Sequence, residues 1–97
     1  NNLQIDGTIE EVKSSYPIDD KFKSFGFNVI TINGHDFSQI LQAFEEAKNC
    51  KDKPTAIIAK TIKGKGITFM ENQVGWHGKA PSQQEYEQAI KELEREN

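Results

Sequence analysis

Apolar positions along the chain change their period several times, and each change marks an element. From Asn28 to Ile32 the run Val29-Ile30-Thr31-Ile32 is β-branched and nearly continuous, the pattern of a strand covered on both faces. Phe37, Ile40, Leu41, Phe44 and Ala47 then recur at i, i+3, i+4 and i+7 spacings and trace one helical face. Asp36 is the expected N-cap, and Gln39 three residues later completes the signature of a capping box. Lys51-Asp52-Lys53-Pro54 breaks the helix, and Thr55 to Ile62 reads as a second buried-type strand centred on Ala56-Ile57-Ile58-Ala59. A strand, a helix and a strand in this order predict a βαβ unit with a parallel strand pair and a right-handed crossover.

The flanks are shorter and more polar. Ile5-Asp6-Gly7-Thr8 predicts a turn in which Asp-Gly supplies the positive φ. Ile9 to Ser15 predicts a single helical turn. Pro17 opens a short helix to about Phe25, with Ile18, Phe22 and Phe25 as its apolar positions and Gly26 as its C′ residue. Asp19 and Asp20 stand in its first turn, where the helix dipole favours negative charge. Ser82 and Glu85 predict a second capping box, opening a helix whose apolar positions are Tyr86, Ala89, Ile90 and Leu93.

Between Lys63 and Pro81 no period survives. Gly64, Gly66, Gly75 and Gly78 punctuate this stretch, which holds the only tryptophan, Trp76, and one of the two histidines, His77. A loop of that length inside a compact unit is usually functional or disordered, and its composition favours function. Ligands of open parallel sheets lie beyond the carboxyl ends of the strands, so this loop is preferred as the site over the shorter Asn33–Asp36 connection. Neither GxGxxG nor a Walker A sequence is present, which argues against a Rossmann or P-loop nucleotide site.

Composition narrows the field. The 97 residues amount to one domain or less, and the hydrophobic share of 35% is low for a globular domain even with the 7 glycines added. The low share fits either a small, largely solvent-covered domain or, the preferred reading, a chain whose most buried strands belong to neighbouring sequence. An open sheet edge left in this way would favour self-association, so a homo-oligomer is expected. The net charge of −3 offers no basic footprint for nucleic acid. No apolar run approaches the roughly 20 residues of a membrane span. One cysteine, Cys50, excludes an internal disulfide and suits a reducing, cytoplasmic setting. No grouping of Cys and His suggests structural zinc.

The opening block Asn1-Asn2-Leu3-Gln4-Ile5-Asp6-Gly7 resembles the end of the thiamine-diphosphate motif of transketolases, particularly of amino-terminal subunits in split forms. Five later landmarks follow in the family's order: Gly26-Phe27-Asn28-Val29-Ile30, Asn33-Gly34-His35-Asp36, Lys53-Pro54-Thr55, Thr61-Ile62-Lys63-Gly64-Lys65-Gly66, and Trp76-His77-Gly78-Lys79-Ala80-Pro81. The resemblance covers nearly the whole chain. It implies an α/β, parallel-sheet thiamine-diphosphate-binding fold, present in part as a βαβ unit plus flanking helices. Residues 1–97 would then be the C-terminal portion of the diphosphate-binding domain, with the Gly-Asp-Gly half of the motif upstream.

The resemblance also implies roles for particular residues. Asn1 would ligate Mg²⁺ (or Ca²⁺) through its amide oxygen and Leu3 through its backbone carbonyl, hard donors suited to an ion bridging two phosphates. Ile5 would pack on the rings of thiamine diphosphate. His77 would be the catalytic histidine that contacts the diphosphate and the donor sugar. Taken from the residues alone, Asn1 is a turn former, His77 a packing or surface histidine beside Trp76, and Lys63 and Lys65 solvated loop charges. Lys63 also departs from single-chain transketolases, which tend to carry an apolar residue there. The implied reaction, in the interconversion of pentose phosphates, moves a two-carbon ketol unit from a ketose phosphate to an aldose phosphate. The activating glutamate comes from a pyrimidine-binding domain or subunit of the same enzyme, so this piece is expected to be inactive alone. A 1-deoxyxylulose-5-phosphate synthase-like enzyme and a small non-catalytic α/β interaction module are the alternatives.

Overall fold

The computed structural model describes residues 1–95. The element order is β1 (Leu3–Gln4), β2 (Gly7–Thr8), α1 (Ile9–Val12), α2 (Ile18–Ser24), β3 (Asn28–Asn33), α3 (Phe37–Asn49), β4 (Thr55–Lys60), a 3-10 turn (Val74–His77) and α4 (Gln83–Arg95). Contacts divide the chain into two units: residues 15–61, and residues 1–14 together with the chain from Ile62 onward.

The 15–61 unit is the βαβ unit that the periodicity predicts. β3 and β4 run parallel, in register from Asn28 opposite Thr55 to Asn33 opposite Lys60. β4 ends at Lys60, short of the expected Ile62. The expectation that β3 is covered on both faces is not met among the described residues. Ile32 is buried while Thr31 is exposed.

The N-terminus of α3 departs from a reciprocal capping box. Asp36 Oδ1 accepts the Ser38 and Gln39 N–H groups at 2.9 and 3.1 Å. Gln39 does not return to the N-cap backbone. Its Nε2 donates to Asp36 Oδ2, and its Oε1 accepts the N–H of Asn33 at 2.8 Å. One side chain thus ties the end of β3 to the start of α3.

The apolar face of α3 is only half used. Ala43 is buried and Ile40 and Ala47 are half-buried, whereas Phe37, Leu41 and Phe44 are 83%, 68% and 56% exposed. Two strands about 4.8 Å apart are narrower than a helix roughly 10–12 Å across, so they cover one flank of a wide apolar stripe. Small Ala43 is the residue of α3 that is buried. α2 ends as expected at Gly26, with φ +84°, but Phe25 is 84% exposed rather than packed. Phe22 instead meets Phe27 edge-on, with ring centroids 5.2 Å apart.

In the other unit β1 and β2 form a minimal hairpin, Leu3 opposite Thr8 and Gln4 opposite Gly7, closed by Ile5 and Asp6. The positive φ falls on Ile5 (+23°) and not on Gly7, which corrects the expectation from the Asp-Gly pair. Thr8 caps α1 in a full capping box with Glu11, a Thr-x-x-Glu signature visible in the sequence. α4 opens with the expected box: the Glu85 N–H donates to Ser82 Oγ, and the Ser82 N–H donates to Glu85 Oε2 at 2.7 Å. Ala89 is buried in α4, while Tyr86, Ile90 and Leu93 keep part of their surface open. Among the described residues no helix is long and apolar enough to cross a membrane.

Candidate functional site

The hairpin at the start of the chain presents its backbone in a defined way. In an antiparallel pair, opposed residues alternate between hydrogen-bonded and non-hydrogen-bonded. The Ile9 N–H donates to the Asn2 carbonyl at 3.0 Å, so Asn2 and Ile9 form a bonded pair. Leu3 and Thr8, the next pair, are therefore non-bonded, and the N–H and C=O of Leu3 point away from β2. The Leu3 N–H is taken up by Asn1 Oδ1 at 3.0 Å. This is the turn-forming role expected of an asparagine on residue type alone. An amide oxygen has two lone pairs, so the same atom keeps a further acceptor position.

The segment from Ile62 to Ser82 is irregular but internally bonded. The Asn72 N–H donates to the Lys63 carbonyl at 3.0 Å and closes a loop. Inside it, the Gly66 N–H donates to the Glu71 carboxylate, which also meets Lys65 Nζ at 3.4 Å. Gly64 adopts φ +72°, and a Cβ there would lie 2.6 Å from the Met70 carbonyl oxygen, so only glycine fits. The 3-10 turn Val74–His77 is anchored by Trp76. Its Nε1–H donates to the Phe69 carbonyl at 3.2 Å, and its ring lies 5.6 Å from that of Phe69. The Lys79 ammonium sits 4.1 Å from the Trp76 ring centroid, a cation–π contact. Lys79 also reaches Glu85 at 2.7 Å. The Lys79 ammonium, followed by the Ser82 N–H, holds the Glu85 carboxyl well below its usual range, at about 2.

These two pieces meet within one unit. Asn1, Leu3, Ile5 and His77 line a single cleft of about 290 Å³, joined by Gln4, Lys63 and Val74. Ile5, 61% exposed, offers an apolar surface at the hairpin tip. Asn1 and His77 are exposed, and Leu3 is half-buried. The cleft therefore gathers all four residues singled out from the sequence. Lys63, read there as a solvated loop charge, is instead half-buried in its wall. Alternation along a strand would turn Gln4 away from the face of Leu3 and Ile5, so its place in the lining, like that of Val74, carries no signal in the sequence. His35 stays outside the cleft lining. Its N–H donates to Asn33 Oδ1 at 3.0 Å, the local turn role that its position before an N-cap suggests.

The donor set is specific in its chemistry. It combines neutral oxygens from Asn1 and Leu3 with an ammonium and an imidazole, and places an apolar side chain beside them. Among the described residues no group of three or more His, Cys, Asp or Glu side chains could hold a metal ion.

The known proteins similar to this chain share one family. The profile of the family described as transketolase, thiamine diphosphate binding domain, matches residues 1–96. The chain is 38% identical over 96 residues to the 6-deoxy-6-sulfo-D-fructose transketolase subunit SqwG of Clostridium sp. (strain MSTE9), covering 99% of this chain and 35% of that protein. It is 38% identical over 93 residues to one of the subunits of the apulose-4-phosphate transketolase of Phocaeicola vulgatus, covering 96% of this chain and 33% of that one. The crystal structure of Campylobacter jejuni transketolase superposes with a TM-score of 0.85 at 33% identity, over 97% of this chain and 15% of that chain. The chain thus spans about a third of the length of the curated relatives it matches. It has the α/β fold of this part of those enzymes, and it belongs to the transketolase family as a thiamine diphosphate binding domain sequence.

Proposed function

We propose that residues 1–97 form the C-terminal portion of the diphosphate-binding domain of a transketolase, and that the cleft at Asn1, Leu3, Ile5 and His77 holds the diphosphate end of the cofactor. The single observation that carries this reading is the convergence of those four residues, chosen on sequence, in one cleft with Lys63. Asn1 Oδ1 and the outward Leu3 carbonyl would ligate Mg²⁺ or Ca²⁺. Neutral oxygens suit an ion whose negative partners are the phosphates themselves. Lys63 and His77 would donate to phosphate oxygens, and Ile5 would pack on the cofactor rings. Thiamine diphosphate, when bound, supplies the carbanion chemistry, while the protein binds and orients it.

The full enzyme would transfer a two-carbon ketol unit from a ketose phosphate to an aldose phosphate, with a pyrimidine-binding domain or partner subunit completing each site and a homo-oligomer as the working assembly. Relatives named as transketolase subunits support such a partner. On this reading the 97-residue piece alone is inactive and binds the cofactor weakly.

The test is His77→Ala in the full-length protein carrying this chain, assembled with its partner. His77 is exposed, so folding is expected to survive. Loss of a hydrogen bond to a charged group lowers cofactor affinity or kcat/KM by about 10- to 150-fold. Kinetics at saturating and limiting thiamine diphosphate, with a melting curve alongside, read the effect. Constants within twofold of wild type at an unchanged Tm would return His77 to the role of a surface histidine beside Trp76.

A further inference from the structure

Lys63, Val74 and His77 all line the cleft, and all lie on the irregular segment between Ile62 and Ser82. No strand ladder fixes that segment, so its shape depends on its own loop bonds and on what grips it from outside. The strongest grip is at Thr68. Its N–H donates to Glu92 Oε2 at 2.7 Å and its hydroxyl donates to Glu92 Oε1 at 3.0 Å, two bonds to two oxygens of one carboxylate. Gln88 Nε2, one turn earlier on α4, donates to the same carboxylate at 2.7 Å and aims it. Glu92 is half-buried and does not line the cleft. Two-point, charge-assisted bonding of this kind fixes orientation as well as position.

The grip is transmitted inward by covalent and close contacts. Thr68 lies within the loop closed by the Asn72 N–H on the Lys63 carbonyl. Within that loop Gly64 lies so close to Met70 that no Cβ could intervene. Next to Thr68, the Phe69 carbonyl receives the Trp76 indole N–H, and Trp76 precedes His77 in the 3-10 turn. A displacement of Thr68 therefore reaches both Lys63 and His77 through packed or hydrogen-bonded neighbours.

We infer that Glu92 is a positioning residue for the cleft: by clamping Thr68 to α4 it sets where Lys63 and His77 present their donors to a diphosphate ligand. This rests on the proposed function for what the cleft binds. Glu92→Ala in the full-length protein with its partner is expected to speed hydrogen exchange across residues 66–79. It should also raise the Kd for thiamine diphosphate with Mg²⁺ on the order of 3- to 30-fold, the usual range for coupling through a packed network. Glu92→Gln keeps an acceptor for the Thr68 N–H and an amide that the hydroxyl can bond, so it should recover most of the affinity.

Thr68→Val removes the hydroxyl bond alone and should shift both readouts in the same direction by less, which covers the case in which Glu92→Ala does not fold. Faster exchange with a Kd within twofold of wild type would overturn the positioning role and leave Glu92 a mere tether. Unchanged exchange would remove the clamp altogether. Wild-type protein that fails to bind thiamine diphosphate would instead sink the proposed function, and the positioning role would fall with it. The exchange data would then still decide whether Glu92 holds the loop.

Discussion

The two units of this chain are built by different means. Residues 15–61 rest on a parallel backbone ladder and a crossover helix, and Gly26 is their sole residue at positive φ. The site-bearing unit has a ladder of two residue pairs, yet it holds Asn2, Ile5, Gly64, Gly66 and Asn72 at positive φ. Its irregular backbone is held by side chains that bond main-chain groups: Glu11 to Thr8, Glu71 to Gly66, Glu85 to Ser82, Glu92 to Thr68, and Trp76 to Phe69. Strained and irregular backbone persists only where its surroundings determine it, and it tends to gather at ligand sites. The difference shows how one small chain separates scaffold from site. Periodic burial builds the first, and individually aimed carboxylates and one indole build the second.

If the site unit depends on particular backbone conformations, its most sensitive position is Gly64. Alanine there must adopt φ +72° and place its Cβ 2.6 Å from the Met70 carbonyl oxygen. The conformation alone costs about 1–3 kcal/mol, and the contact forces the loop to shift as well. Chemical denaturation of Gly64→Ala should show a loss in or above that range, with exchange accelerated across residues 62–73. A loss under 0.5 kcal/mol, which is about the level of a neutral surface change, would show that the loop tolerates rearrangement and would weaken the contrast.

In the βαβ unit the comparison predicts sensitivity to volume. Ala43 is 1% exposed on the flank of α3 that is buried, so Ala43→Leu should cost about 1–3 kcal/mol by overpacking. Phe44→Ala should cost only about 1 kcal/mol in this chain, because the ring is already 56% exposed. Apolar spacing alone would rank the two positions the other way, since Phe44 sits at the centre of the i, i+3, i+4 pattern. Urea melts of both variants decide it: a larger loss at Phe44 would mean that α3 buries its other flank.

That reversal marks where the sequence is legible. Period and cap chemistry are local, so Asp36, Gly26, Ser82 with Glu85, and the parallel order of β3 and β4 follow from neighbouring residues. Which flank of α3 is buried is not local. It depends on how much sheet is available to cover a stripe, and no spacing encodes that. The site shows the same division. Asn1, Leu3, Ile5 and His77 stand in short recognisable blocks, whereas the place of Lys63 in the cleft wall follows from a loop closed by Asn72 and gripped by Glu92. Contacts that join Thr68 to Glu92 across 24 residues leave no periodic trace.

The mildest effect expected is one of acid. Glu85 carries its charge down to about 2, against an ordinary 4.5, first because of the Lys79 ammonium and then because of the Ser82 N–H. Glu92 is also lowered, first by Gln88 and then by the Thr68 N–H. A carboxyl with a depressed folded pKa lends stability that is complete above its unfolded value and fades as pH falls through the folded one. The start of α4 should therefore stay capped at pH 5 to 7 and loosen between pH 4.5 and about 2. Both carboxylates still reach solvent, so salt should shrink the effect. Exchange of the amides from Ser82 to Tyr86, corrected for intrinsic rates, should rise in that window in the wild type. In Glu85→Gln these amides should exchange faster than wild type near neutrality and converge with it near pH 2, because protonation removes the charge that the substitution has already removed. The β3 and β4 amides that bond across the pair, held by main-chain bonds that do not titrate, should stay protected until global unfolding. Loss of protection in the strands at the same pH as at Ser82 would show that the two units open together, and the division between scaffold and site would then describe their construction but not their stability.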